Sequence, residues 1–339
     1  MRQFPTEIGI LVYPGSQAAA VLGMTDLLTY AERQTRLQTD GKMPSLRITH
    51  WQKEPNDGIP TCIFDTSPGK ENAPSVLVIP PGLGELASKE TASEYSKWLH
   101  ALHAQGTCLA SVCKGAFLLA ETGLLTGRTA TTHWAYEEEF RLRFPKVVVD
   151  TDRLIIDDGD LITAGGAMSW IDLTLRLVDR FLGPSIMINT ARAFVIDPPG
   201  REQRNYSAFS PRLDHGDLAI LRVQHWLQAH DGKEMSLAAL SAQAGLERRT
   251  FIRRFQKATG LTTGDYIQRL RVGKARELLQ FGKLPVEKIA WEVGYNDPSA
   301  FRKVFGKITG LSPGDYRQRF GVKGAEQAPY KISGRPTPY

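Results

Sequence analysis

The chain has 339 residues, about two domains in length. With 42% hydrophobic and 23% charged residues it is an ordinary globular protein, neither disordered nor fibrous. The net charge of +6 is unevenly placed: residues 217–320 hold 18 Lys and Arg against 10 Asp and Glu, whereas residues 1–216 hold 21 against 25. Basic charge gathered in one segment is the electrostatic footprint of a polyanion partner. No apolar run approaches the roughly 20 residues that cross a bilayer, and the first seven residues lack the apolar core of a secretory leader. Three cysteines, Cys62, Cys108 and Cys113, include no Cys-x-x-Cys pair, which fits a reduced compartment better than a disulfide scaffold. A cytoplasmic protein is expected, without membrane contact, metal or cofactor.

In chain order, Ile8–Tyr13 reads as a short apolar strand and 18–33 as a helix. Leu46–Trp51 and Val76–Ile79 are further strands, 93–105 a helix and 107–112 a strand. This alternation predicts an α/β domain over 1–196, a parallel sheet with helices on both faces in a flavodoxin-like sandwich. The last of these strands runs into Cys113-Lys114-Gly115-Ala116 and a helix. A cysteine at such a turn stands where a nucleophile elbow would be, and a helix N-terminus behind it is expected to lower the thiol pKa. The plain alternative is a buried small hydrophobe.

The run Ser111-Val112-Cys113-Lys114-Gly115-Ala116-Phe117-Leu118-Leu119-Ala120, with Gly123-Leu124-Leu125 and Gly127-Arg128-Thr129-Ala130-Thr131-Thr132-His133-Trp134, resembles the PfpI-like, class I glutamine-amidotransferase-like fold. It is most similar to the version fused to AraC domains in GlxA-type regulators. Enzymes with that fold, isocyanide hydratases and PfpI-like proteases among them, pair the elbow cysteine with an acid near the first helix. In Gln17-Ala18-Ala19-Ala20-Val21-Leu22-Gly23-Met24 the acid's place falls on Ala20, and a methyl group cannot move a proton. Lys114 follows the cysteine where the hydratase-like pattern often has Thr, and Asp26 lies six residues further along the helix. The resemblance therefore implies a small-molecule sensor with no catalytic residue. Its pocket candidates are Cys113, Lys114, His133 and the backbone around Gly82 in Pro80-Pro81-Gly82-Leu83-Gly84. A lone histidine is more often a core residue than a ligand contact.

From 197 to 216 the apolar periodicity lapses into Asp197-Pro198-Pro199-Gly200-Arg201-Glu202-Gln203-Arg204-Asn205, read as a linker. Beyond it comes an internal repeat. Phe255–Leu270 and Phe305–Phe320 are identical at 10 of 16 positions, 50 residues apart. One supersecondary unit occurs twice, too few copies for a solenoid.

Upstream of each copy stand two short helical patterns. Leu237, Leu240 and Ala244 end at Gly245, and a second helix from Arg248 buries Phe251 and Phe255. Val286, Ile289, Ala290 and Val293 end at Gly294, and a second helix opens with Asp297 as cap and Pro298 in its first turn, burying Phe301 and Phe305. Helix, glycine turn, helix is the helix-turn-helix. Opposite the phenylalanines lie Arg249, Ile252, Arg253 and Gln256, flanked by Arg248 and Arg254. In the second unit Ser299, Arg302 and Lys303 take the comparable face. Such a basic stripe suits a recognition helix in a major groove, although a single basic face is more often merely solvated.

Thr250-Phe251-Ile252-Arg253-Arg254-Phe255 with Thr259-Gly260-Leu261, and Gly294-Tyr295-Asn296-Asp297-Pro298-Ser299-Ala300-Phe301 with Phe305 and Thr309-Gly310-Leu311-Ser312-Pro313, resemble the AraC family of regulators over 217–320. The resemblance implies an all-α DNA-binding domain with two helix-turn-helix units, and a connecting helix from Tyr266 to Phe281 that holds them about one DNA turn, roughly 34 Å, apart. It points to Arg248, Arg249, Ile252, Arg253, Pro298, Ser299, Arg302 and Lys303 as DNA contacts, with Ile252 suited to a thymine methyl. The expected partners are the major groove of double-stranded DNA, a small-molecule effector such as an amino acid or amine, RNA polymerase, and a second copy through the N-terminal domain. A flexible tail is expected over 321–339. A cysteine-dependent hydrolase or hydratase carrying a DNA-binding module, and a ligand-free dimerisation platform, are the competing readings.

Overall fold

The computed structural model describes residues 6–39, 46–54, 58–68, 73–198, 200–230, 232 and 236–322. The first five residues, read above for a leader, and the expected tail beyond Val322 lie outside them. The chain divides into two compact units, one reaching Gln203 and the other starting at Arg204.

The N-terminal unit runs β1 (Thr6–Val12), α1 (Ala18–Thr39), β2 (Leu46–Gln52), β3 (Thr61–Asp65), β4 (Val76–Ile79), α2 (Lys89–Ala104), β5 (Cys108–Val112) and α3 (Gly115–Glu121). It continues with β6 (Thr129–Ala130), α4 (Glu137–Arg143), β7 (Val148–Val149), β8 (Ile155–Asp157), β9 (Leu161–Ala164), α5 (Trp170–Leu182) and α6 (Pro184–Ala193). Among the described residues the main sheet has seven strands in the order β3-β2-β1-β4-β5-β9-β8. Its five inner strands are parallel, as the alternation predicts, but both edges are antiparallel. At one edge the reason is local. The turn Asp158-Gly159-Asp160 returns the chain at once, closing with a bond from the Asp158 amide to the Leu161 carbonyl (2.9 Å), and so short a connection can only join antiparallel strands.

β4 and β5 are buried along their whole length, as parallel strands covered on both faces must be. Alternation then sends Val76 and Val78 into one apolar cluster with α1 and α5, and Leu77 and Ile79 into a second with α2 and α3.

The C-terminal unit is all helix: α7 (Leu218–Ala229), α8 (Leu237–Ala244), α9 (Arg248–Thr259), α10 (Thr263–Phe281), α11 (Val286–Glu292), α12 (Pro298–Thr309) and α13 (Pro313–Phe320). It has two separate apolar cores. One gathers Ile220, Leu240, Phe251, Phe255 and Tyr266, the other Leu279, Ile289, Phe301, Phe305 and Tyr316. The repeat is reproduced in geometry. Phe251 and Phe255 meet at 5.5 Å with their rings tilted 52° apart, and Phe301 and Phe305 at 5.5 Å and 54°. Phe255 meets Tyr266 edge-on at 5.3 Å, and Phe305 meets Tyr316 at 5.4 Å. α9 and α12 end in left-handed Gly260 (φ 72°) and Gly310 (φ 75°), the conformation that lets the chain leave a helix without a Cβ clash. Thr262 and Ser312 then cap the following helices by accepting from the amides of Asp265 and Asp315, each at 3.1 Å.

Candidate nucleic-acid interface and ligand pocket

In the N-terminal unit, β5 passes into α3 through Cys113, which is held in a left-handed conformation (φ 55°). Its amide donates to the Ala164 carbonyl (2.7 Å), and its own carbonyl accepts from Thr132 Oγ1 (2.8 Å). The turn is tight. A Cβ on Gly115 would sit 2.6 Å from the Ile79 carbonyl oxygen, so only glycine fits there. The Cys113 thiol is buried, and burial pushes its pKa up to about 11; its bond to the Lys114 backbone and the Lys114 charge pull the other way without prevailing. This corrects the expectation of a lowered thiol pKa. α3 spans only seven residues, and its dipole is outweighed by desolvation of a thiolate in an apolar cluster. Ala20 is fully buried in that same cluster, whereas Asp26 is exposed on the far side of α1.

Lys114 is buried as well. Its ammonium donates to the Gly84 carbonyl and lies 5.1 Å from the centre of the Tyr136 ring. Burial holds its pKa below the usual lysine value. His133, half-buried, accepts from the Ala135 amide at Nδ1 (3.1 Å) and faces the same Tyr136 ring at 5.8 Å. Burial first, and then the Lys114 charge, lowers its pKa, so it is neutral at pH 7. Gly82 and Lys114 line a common cavity of about 200 Å³ with Tyr13, Glu85, Ser88 and Thr91. Cys113 and His133 are not among its lining residues.

Tyr13, Glu85, Ser88 and Thr91 were not singled out from the sequence. For two of them there was a signal: Ser88 three residues before Thr91 is an N-cap pattern, and Ser88 Oγ does accept from the Thr91 amide (3.2 Å). Gln203 was also missed. Its amide donates to the carbonyls of Thr132 and Thr151, each at 2.9 Å, and accepts from the Trp134 amide (3.0 Å).

In the C-terminal unit, α7 is capped by Asp217, which accepts from the Ile220 amide (3.2 Å). Arg254 donates twice to the same carboxylate, at 2.9 and 2.7 Å, and so leaves the flank of the outward stripe where the sequence places it. Arg248, Arg249 and Arg253 are exposed, and Ile252 is 42% exposed, high for an isoleucine on a helix with a phenylalanine core. Arg249, Ile252, Arg253, Gln256 and Lys257 line one open depression on the face of α9.

On α12, Asp297 accepts from the amides of Ser299 (2.9 Å) and Ala300 (3.1 Å), and Pro298 is half-buried as the first helical residue. Ser299, Arg302 and Lys303 are exposed, with Arg302 paired to Glu287 of α11. Such exposed pairs are weak enough to exchange for a phosphate or base.

Comparison with known protein families agrees with this division. Residues 61–180 match the DJ-1/PfpI family and residues 240–319 match a helix-turn-helix domain. The chain is a DJ-1/PfpI domain joined to an AraC-type helix-turn-helix domain. The HTH-type transcriptional regulator CdhR of Pseudomonas aeruginosa is 30% identical over 218 residues, 61% of this chain and 62% of CdhR. The chain thus spans less than two thirds of that relative. GbdR, an HTH-type transcriptional regulator of the same species, is 25% identical over 298 residues, 86% of this chain and 80% of GbdR. The DJ-1/PfpI part is also similar to an isonitrile hydratase of Pseudomonas putida, 31% identical over 180 residues, 52% of this chain and 72% of the hydratase. No helix among the described residues is long and apolar enough to cross a membrane.

Proposed function

We propose that the protein is a sequence-specific DNA-binding transcriptional regulator whose DJ-1/PfpI domain senses a small polar metabolite such as an amino acid or amine. One observation carries the DNA reading. Two helices on duplicated scaffolds each bury a Phe-Phe pair and expose a face rich in Arg and Lys. Guanidinium and ammonium groups on such faces donate to guanine O6 and N7 or to phosphates. Arg248, Arg249, Ile252, Arg253, Ser299, Arg302 and Lys303 are the contacts we assign, and the half-buried Pro298 shapes the start of α12. The test is enrichment from a random-sequence duplex library by the full chain. A defined motif, bound less tightly as salt rises, is expected; no enrichment over a scrambled duplex overturns the reading.

For the sensor, the cavity beside Gly82 supports a small ligand: Lys114 offers a cation, Glu85 an anion, and Tyr13, Ser88 and Thr91 hydroxyls. His133 then serves from behind it, through the Tyr136 ring that Lys114 also meets, and Cys113 as the residue that precedes Lys114 in the turn. A thermal-shift screen of amino acids and amines is expected to raise the melting point of the wild type and not of Lys114→Ala. A ligand that stabilises both equally would place the site elsewhere. The limits of 1–196 and 217–320 expected from the sequence are extended here to a sensor reaching Gln203 and a DNA-binding part starting at Arg204. A cytoplasmic location, a homodimer through the sensor and contact with RNA polymerase belong to the same reading.

The hydratase similarity favours a second reading, cysteine-dependent hydration of an isonitrile. Ala20 in the acid's place and a thiol held protonated by its surroundings argue against it. Turnover of an isonitrile that disappears in Cys113→Ala would reverse that judgement.

A further inference from the structure

The two helix-turn-helix units have separate apolar cores, and α10 is the element common to both. Gln224 of α7 donates to the Tyr266 hydroxyl (3.3 Å), and Gln280 of α10 donates to that of Tyr316 (3.0 Å). α7 and the second half of α10 therefore play the same part in successive units, 56 residues apart. The same step pairs Ile220 with Arg276. Ile220 is a fully buried core residue, and Arg276 is buried too. A guanidinium has replaced an isoleucine in the interior of the second unit.

Burying such a charge is costly unless its protons are taken up. Here both terminal nitrogens find acceptors in the stretch read as a linker, while Nε has none among the described residues. Arg276 donates to the carbonyls of Ser207 and, at 3.1 Å, of Arg204, and stacks 5.4 Å from the Tyr316 ring. The same stretch reaches both cores. Tyr206 meets Phe320 edge-on at 5.5 Å and accepts from Arg319 at 2.5 Å, on the second unit. Phe209 meets Tyr266 edge-on at 5.2 Å, on the first. Gln224 holds its far end by donating to the Arg212 carbonyl (2.8 Å).

We propose that residues 204–212 are a strap that locks the two helix-turn-helix units together through Arg276, making Arg276, Tyr206 and Phe209 positioning residues that set which spacing between two DNA motifs the chain accepts. The proposal rests on the DNA-binding reading. Two readers held rigidly meet bases at a single separation; two readers joined only by α10 tolerate several.

The test uses the full chain and Arg276→Ile, which installs the residue the first unit carries. Wild type is expected to enrich two motifs at one spacing and to prefer it about tenfold over spacings changed by one base pair. Arg276→Ile should enrich the same motifs with that preference reduced to about threefold or less, and bind each motif alone as before. Unchanged spacing preference in Arg276→Ile overturns the proposal. Should that variant not fold, Tyr206→Ala, at a partly exposed side chain, is read by the same two outcomes. Limited trypsin digestion decides the clamp without DNA. Cleavage at Arg204 and Arg212 several-fold faster in Arg276→Ile supports it, and equal rates refute it. Failure of the wild type to enrich any motif counts against the DNA reading itself, which the trypsin rates leave untouched.

Discussion

The two helix-turn-helix units share the same aromatic core and differ on their outer faces. Their aromatic distances agree within 0.1 Å, and both second helices end at a left-handed glycine. On the outer face, Arg249, Ile252, Arg253 and Gln256 of α9 stand where α12 has Ser299, Arg302, Lys303 and Gly306. Arg302 is already paired with Glu287, while α9 is tied back to α7 by Arg254 and Asp217. The duplicated scaffold has kept its aromatic core, though not the Ile220 that Arg276 replaces, and has let go of what reads with it. The first unit offers three donors around an exposed methyl-bearing side chain, the second a shorter and partly neutralised face.

The strongest way to break this comparison is to open each core. Phe255→Ala and Phe305→Ala should each destabilise by about 3–5 kcal/mol in urea unfolding; a large inequality would mean the scaffolds are not equivalent. Next come the faces. Arg253→Ala should weaken binding to the selected duplex by about 1–3 kcal/mol, and Arg302→Ala should fall at the lower end because its loss also frees Glu287. Titration of the duplex at fixed salt measures both, and a larger loss in Arg302→Ala would invert the assignment of the stronger reader.

A smaller effect follows pH. Arg254 holds the Asp217 carboxyl below its usual range, so its stabilisation is complete above the ordinary aspartate value and fades as pH falls through the lowered one. The second unit has Gly273 and Val304 at those two places and no such pair. With a fluorotryptophan signal from Trp226, acidification should loosen the first unit of the wild type and change that of Asp217→Asn less. Trp291 reports the second unit separately, where the Ser299 and Ala300 amides hold the Asp297 carboxyl low. Smallest of all is the cap. Asp297→Ala should lower the melting temperature slightly, whereas Glu247→Ala should leave it unchanged, because Glu247 makes no capping bond.

Much of this was legible in the chain itself. Phe251 and Phe255 at a helical step, echoed 50 residues on, require two amphipathic helices, and the glycines after them mark where those helices stop. Four of the five inner strands could be read, β1, β4 and β5 because parallel strands covered on both faces are largely apolar, and β2 in spite of its buried Arg47 and His50; β9, equally buried, was not singled out. β3 was harder to see: four of its five residues are exposed, so no alternation marks it. Cys113 misled for a physical reason. Sequence position reveals the helix behind it, but not the burial that overrides the helix. Arg276 was invisible because an arginine on a helix is normally solvated, and nothing nearby in sequence announces that its acceptors lie some seventy residues upstream.

The Arg276 clamp also bears on how this protein can be taken apart. A fragment cut at Asp217, where helical periodicity resumes, would leave a buried guanidinium without its carbonyls and Tyr266 without Phe209. Chimaeras that graft a different sensor onto this reader should therefore splice immediately after Gln203, carrying the strap along as part of the DNA-binding module.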